Sequence, residues 1–407
     1  MKKLALAAMF AATLVVHAQE PAKDRFVVHE WGTFTAVYGA DGTMMDWRPL
    51  TTSDLPRFVY DRATVAPVVR VNEKKNMVQS KQRMETPVLY FYAGKEMTVD
   101  VSVGFPQGLI TEWYPRVRDF RPALGDGIKP VAVKDGWVRW GNVRIVPRDT
   151  KVELPKEGEA SHYYHARETD ADYVRVCGED GQKVEFEKFL FYRGIGNFPL
   201  PMTVKAVDGR LSIANPSARD LGAAFAITVH ADGSGQYLSL GSIKKNAAMD
   251  VVFPKQALSK ADLIPGISRE LQEALTKAGL YSKEAASMVK TWTDSYFEQE
   301  GTRILYLLPE ALTNELLPLT ISPAPTEVKR ILVARIDILT PEQTAALQSL
   351  LRDLGSDAFE ARDAAQKKIQ NYGRFAEPAL QEVVRTTTDA EIKSRAQELL
   401  GRMAPKR

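Results

Sequence analysis

Apolar and polar positions alternate with a period of two over much of the first 250 residues. Met97, Val99, Val101 and Val103 share one side of a run whose other side carries Thr98, Asp100 and Ser102, the pattern of a half-buried strand. Residues 202–207 and 210–214 flank Asp208-Gly209, and the pattern predicts a hairpin there. A second hairpin is expected from 224–230 and 236–243, and further strands over 26–29, 65–71, 87–92, 137–146 and 184–192. Asp-Gly occurs six times, at Asp41, Asp126, Asp135, Asp180, Asp208 and Asp232, always before residue 255. It is a strong hairpin signal, because a type I′ turn needs positive φ at both central residues. Many short strands joined by tight turns imply antiparallel packed sheets, so residues 24–254 read as a sandwich-like β domain.

Beyond residue 255 the period lengthens. Ser282 is placed to cap a helix with Ala285, Met288, Val289, Trp292 and Tyr296 on one stripe. Strands are expected over 302–308 and 327–339, so that 255–339 extends the β domain as a mixed helical and strand segment. From Thr340 the pattern is amphipathic and helical. Thr340, Pro341 and Gln343 make a capping box with proline at the first helical position, and Thr388 with Glu391 suggests a second. Arg362, Ala365, Gln366 and Ile369 are echoed 31 residues later by Lys393, Ala396, Gln397 and Leu400. Residues 340–403 therefore read as a small repeat-like helical module, with Phe359 on its apolar stripe.

Residues 355–403, GSDAFEARDAAQKKIQNYGRFAEPALQEVVRTTTDAEIKSRAQELLGRM, resemble the short HEAT-type repeats appended to exported bacterial proteins. The segments VVHEWGTFT, METPVLYFY and SYFEQEGTRILYLLPEALTNELLPL resemble an uncharacterised family of exported bacterial proteins. That likeness spans most of 26–339 and implies no known activity.

The chain has 407 residues, 44% hydrophobic and 26% charged, with a formal net charge of +3, an ordinary globular composition. Lys2 and Lys3 followed by an apolar run from Leu4 to Val16 and by His17-Ala18 read as a signal peptide, residues 1–18. Its removal leaves 52 basic against 51 acidic residues. Near-neutral charge offers no electrostatic ground for a nucleic-acid partner. No later run is long enough to span a membrane, and the address expected is periplasmic or extracellular. Cys177 is the single cysteine and has no intramolecular partner for a disulfide.

Phosphate-loop, nucleophile-elbow and zinc-protease motifs do not occur in the sequence, and no cofactor is expected. Two constellations carry what chemistry there is. His29-Glu30-Trp31 ends the first strand, and His162-Tyr163-Tyr164-His165 precedes Arg167 and Glu168. A divalent metal on His29, His162 and His165 would need a third or fourth convergent ligand. Residues three apart share a side on a helical turn and not on a strand. His162 and Glu30 are the catalytic candidates, as acid–base groups. The second constellation sets aromatic rings beside carboxylates: Glu30-Trp31, Asp46-Trp47 and Glu112-Trp113-Tyr114. Trp31, Trp113, Tyr114, Glu112 and Arg167 are the binding candidates, since exposed rings stack on sugars while acids bind hydroxyls; the competing reading puts these rings in the core. The leading functional reading is an exported binding or structural protein that meets another exported protein through its C-terminal helices. The alternatives are a metal- or carboxylate-dependent hydrolase of polysaccharide or peptide, and a carbohydrate-binding module.

Overall fold

The strand Val27–Tyr38 is buried at all twelve positions, which requires cover on both of its faces. The computed structural model describes residues 25–47, 55–62, 80–122, 132–157, 161–178 and 183–402. The expected signal peptide and the expected strand at 65–71 lie outside them.

This strand, β1, stands in the middle of a nine-stranded sheet. From one edge the order is β14 (Gly235–Ser242), β13 (Ala223–Val229), β16 (Gly301–Leu307), β18 (Glu327–Ile338), β1, β3 (Gln82–Tyr92), β10 (Leu190–Gly196), β5 (Gly108–Tyr114) and β2 (Tyr60–Asp61). β1 and β18 run parallel, in register from Val27↔Glu327 to Tyr38↔Ile338; every other pairing in the sheet is antiparallel. A second sheet contains β17 (Leu319–Ser322), β4 (Met97–Phe105), β7 (Gly136–Val146), β8 (Tyr173–Val176) and β9 (Glu185–Glu187), with β6 (Asp119–Arg121) also on β7. A third joins β11 (Thr203–Val207), β12 (Arg210–Ala214) and β15 (Ala248–Val251). The fold is thus β-rich, with several antiparallel sheets and a C-terminal helical segment.

The nine-stranded sheet is the middle of three layers. Even-numbered residues of β1, among them Val28, Phe34, Ala36 and Tyr38, meet the smaller sheets through Val99, Val101, Trp140 and Ile213. Odd-numbered ones, such as Val27 and Trp31, meet α1 (Lys260–Ala278) and α2 (Ser282–Thr293). Leu263, Ile267, Leu271 and Leu275 recur every fourth residue on α1 and form its buried stripe. A π-turn, Asp294–Glu298, carries the chain from α2 toward β16.

Several elements depart from the sequence pattern. β1 runs nine residues past His29, because its polar residues are paired inside the molecule. The 184–192 run divides into β9 and β10. α1, unanticipated, carries Pro265 within it. Strands from both sides of residue 255 share the central sheet, so 24–254 and 255–339 form one body. Ser282 is the first helical residue, and the end of α2 is closed by Glu284, whose carboxylate accepts from the Tyr281 backbone N–H at 2.7 Å. The expected hairpin at Asp208-Gly209 has both residues at positive φ, 49° and 71°.

In chain order α3 (Glu310–Leu316) lies between β16 and β17, and α4 (Pro341–Asp353), α5 (Phe359–Tyr372), α6 (Glu377–Thr386) and α7 (Ala390–Arg402) follow β18. The Thr340–Gln343 capping box is present. At α7 the cap is Asp389, which accepts from the N–H groups of Glu391 and Ile392, in place of Thr388. These four helices bury their own core of Leu347, Leu351, Leu354, Ala365, Ile369, Leu380, Ala396 and Leu399. Phe359 is not part of it: at the first residue of α5 it points outward, 61% exposed. A small apolar joint of Val37, Trp47, Leu339 and Phe375, flanked by Met45 and Tyr372, ties the module to the end of β1 and β18.

Candidate functional site

On the helix-facing side of the central sheet, polar residues replace apolar ones toward the carboxyl ends of β1 and β18. Thr33 and Thr35 of β1 stand beside Glu85 and Arg83 of β3. On the other flank, Thr35 neighbours Arg335 of β18, and Asp337 of β18 neighbours Arg303 of β16. All of these side chains are buried. Asp337 Oδ1 accepts from Arg335 Nε at 3.0 Å and from Arg303 Nε at 3.2 Å. Arg83 Nε lies 3.1 Å from Glu85, whose other oxygen accepts from the Thr35 hydroxyl at 2.7 Å. The π-turn covers this row. Tyr296 donates its hydroxyl to Thr33 at 2.7 Å, and burial pushes its phenol pKa upward. Arg303 donates to the backbone carbonyls of Tyr296 and Gln299, both at 2.6 Å, and Arg335 to the Gln299 side chain at 3.0 Å. Two strands further along, Arg193 of β10 makes a two-pronged pair with Glu112 of β5, at 2.9 and 3.1 Å.

Charges this dry persist only when paired and hydrogen-bonded. Their guanidinium groups hold carboxylates on one side and turn carbonyls on the other, so the arrangement fixes the 296–301 turn over four strands. Three of the segments quoted from the sequence meet here. Thr33 and Thr35 come from VVHEWGTFT, Glu85 from METPVLYFY, and Tyr296, Gln299 and Arg303 from SYFEQEGTRILYLL. Gly32 and Thr86-Pro87 complete the fit. β3 bulges opposite Trp31–Thr33, Thr86 has φ 50°, and a Cβ on Gly32 would sit 2.9 Å from Pro87 Cα. The sequence shows Glu85 and Arg193 as polar residues at the ends of apolar strands, but not that they join a cluster. The signal available was opposite charge two residues apart inside apolar strands, Arg83/Glu85 and Arg335/Asp337.

The residues singled out from the sequence lie elsewhere or serve otherwise. His29 and Glu30, as successive strand residues, face opposite layers. The His29 ring bonds Glu284 of α2 at 2.7 Å, and Glu284 also accepts from the Tyr92 hydroxyl at 2.6 Å. Glu30 is buried between the sheets, bonded to Arg330 at 2.6 Å and to the Tyr192 hydroxyl at 2.5 Å. His162 and His165 lie on a 3₁₀ turn, His162–Arg167, the helical alternative that the sequence left open. Each is about a third exposed and pairs separately: His162 lies 3.4 Å from Asp294 and His165 3.3 Å from Glu168. Arg167 pairs with buried Glu187 at 2.6 Å and lies against the rings of Tyr163 and Tyr164. The partners named here for His162, His29, Glu30 and Arg167 are all different. Among the described residues no three His, Cys, Asp or Glu side chains are placed to hold a metal ion.

The aromatic candidates are interior. Trp31 packs in the helix-facing core and Trp113 in the core between the sheets, and Tyr114 is buried with them. None offers the open ring face that a stacked sugar needs, because strands covered on both sides turn every large ring inward. Glu112, paired with Arg193, is equally enclosed.

No family model matches the chain, and no curated protein does. Among solved structures it is similar to the Fcho1 mu-homology domain of Danio rerio with bound Eps15 peptide, at 5% identity and a TM-score of 0.26, over 79% of this chain and 97% of that one. It is also similar to the yeast delta-COP-I mu-homology domain complexed with a Dsl1 WxWxV peptide, at 9% identity and a TM-score of 0.25, over 78% and 98%. The uncomplexed yeast domain gives 8% and 0.26 over 78% and 97%. Scores this low carry no argument about ligand or mechanism. No helix among the described residues is long and apolar enough to cross a membrane.

Proposed function

We propose that the chain is an exported interaction protein, in which a rigid three-layer platform carries a helical module that meets another exported protein. One observation supports this above the rest. The module has a core of its own, touches the platform through a few apolar residues, and turns Phe359 outward with the Arg362 guanidinium 5.9 Å from its ring. A large ring left in water beside a cation is a feature of contact surfaces, where aromatic residues and arginine supply most of the binding energy.

The test compares the full chain with one ending after Leu339, both expressed in the source organism and cross-linked in place. The reading expects a protein cross-linked within 341–402 that disappears on truncation, while the shortened chain still melts cooperatively. Identical cross-links with and without the module count against it. Intact mass of the exported protein tests the address, with cleavage after Ala18 expected.

A further inference from the structure

We propose that α4–α7 form a hinged lid, seated by Phe375 on the 299–301 turn above the arginine–carboxylate cluster and able to lift from it as a folded unit. A Cβ built at Gly301 would lie 3.4 Å from Arg303 Nη2 and 3.7 Å from Phe375 Cε2, so this residue is sandwiched between the guanidinium and the ring. Arg303 itself holds the seat, donating to the carbonyls of Gln299 and Glu300. The turn that carries the lid is thus built by the cluster beneath it.

Two features make lifting easier than unfolding. The joint is small, and Phe375 belongs to it while the helices' core is a separate cluster that touches it through Tyr372. Parting it exposes little apolar surface, and the cost of exposure scales with that area. The groups beneath are Arg303, Arg335 and Asp337, which regain hydration when water reaches them. Wetting an ion cluster offsets part of the lost contact, as wetting an apolar core does not. The hinge is short: β18 ends at Ile338, and Thr340 already caps α4. A lid attached this way swings about the end of β18 and stays folded. The inference concerns motion of the module and stands whether or not a partner binds its outer face.

Hydrogen exchange on the full-length chain tests it, comparing the wild type with Phe375→Ala. Expected is exchange at 299–303 faster by on the order of tenfold, the response of a local opening that has lost one ring from its seat. Protection in α4–α7 and in β3 stays as in the wild type. Unchanged exchange at 299–303 would overturn the proposal, as would lost protection throughout α4–α7, which would make Phe375 part of the module's own core. The milder Phe375→Leu gives the same order of effects at smaller amplitude.

Discussion

Removing the Glu30 carboxylate isolates Arg330, a cation 2% exposed between the sheets. Arg330 donates to Glu30 at 2.6 Å, to the Leu317 carbonyl at 2.6 Å and to Asn314 at 3.0 Å; its Nη2 has no hydrogen-bond partner among the described residues. Burial alone would pull its pKa down, but Glu30 and the Tyr192 oxygen more than offset this and hold it above the usual arginine value. Glu30→Ala should therefore cost about 3–5 kcal/mol, the price of a buried charge without its counterion, plus about 1 kcal/mol for the Tyr192 hydroxyl left without an acceptor. Replacing both partners, Glu30→Met with Arg330→Met, removes the two desolvation costs together. It leaves the Leu317 carbonyl without its donor, a loss of roughly 1–2 kcal/mol, and the Tyr192 hydroxyl without its acceptor, about 1 kcal/mol more, so the double variant should fall within about 3 kcal/mol of wild type. Equilibrium urea unfolding followed by circular dichroism gives all the free energies of the cycle, and the coupling between the two positions should be several kcal/mol, at the upper end of contacting pairs, about 3 kcal/mol. A single-variant cost below about 1 kcal/mol, or a double variant as unstable as the sum of the singles, refutes the reasoning.

Three further outcomes follow from the geometry. Gly32→Ala drives a methyl against the Pro87 backbone and should destabilise by about 1–3 kcal/mol in the same assay; a neutral result means that the β3 bulge yields. His29→Ala should cost about 1–3 kcal/mol, because it strips a buried partner from Glu284. His162→Ala, at a part-exposed pair, should change stability by less than about 0.5 kcal/mol; equal losses from the two would overturn this assignment of roles. The Glu168 carboxyl is held below its usual pKa by hydrogen bonding to the Lys290 ammonium. A lowered folded pKa contributes stability above the unfolded value and loses it as pH falls through the folded one. Lys290→Met should flatten the acid limb of a stability–pH curve below about pH 4.5 and cost under about 1 kcal/mol at neutrality, since the pair is exposed; an unchanged acid limb removes Glu168 from the account.

Strands β4, β11 and β12 of the outer sheets were legible from alternation, whereas β6, β8, β15 and β17 were not anticipated. β4, β11 and β12 have one face toward water, so the period of two survives in Val99-Val101-Val103 and in Leu211-Ile213. In the central sheet it fails, because both faces are dry and polar residues such as Glu30, Thr33 and Thr35 find partners inside. His29 and Glu30 drew attention from the sequence for their chemistry, and the structure gives each a partner far along the chain, Glu284 and Arg330. No local pattern announces a pairing across 255 or 300 residues. α1 was not anticipated; it carries Pro265-Gly266 inside the helix, a pair of residues that lowers helix propensity. The arginine–carboxylate cluster was half visible, since opposite charges two apart on one strand face are a local signal, while the turn that covers it arrives from α2.

β1 waits for β18. Their parallel pairing joins Val27 to Glu327 and Tyr38 to Ile338, so one side of the central strand has no neighbour until the chain has been made almost to its helical module. At ribosomal rates of roughly 5–20 residues per second, that interval is on the order of 15–60 s. During it, an apolar strand with an open edge is available to any other strand in the cell. A closure this late keeps the polypeptide slow to complete its core. Until β18 exists, nothing closes the layer around β1, so the last strand of the platform to be made is the one that completes its middle.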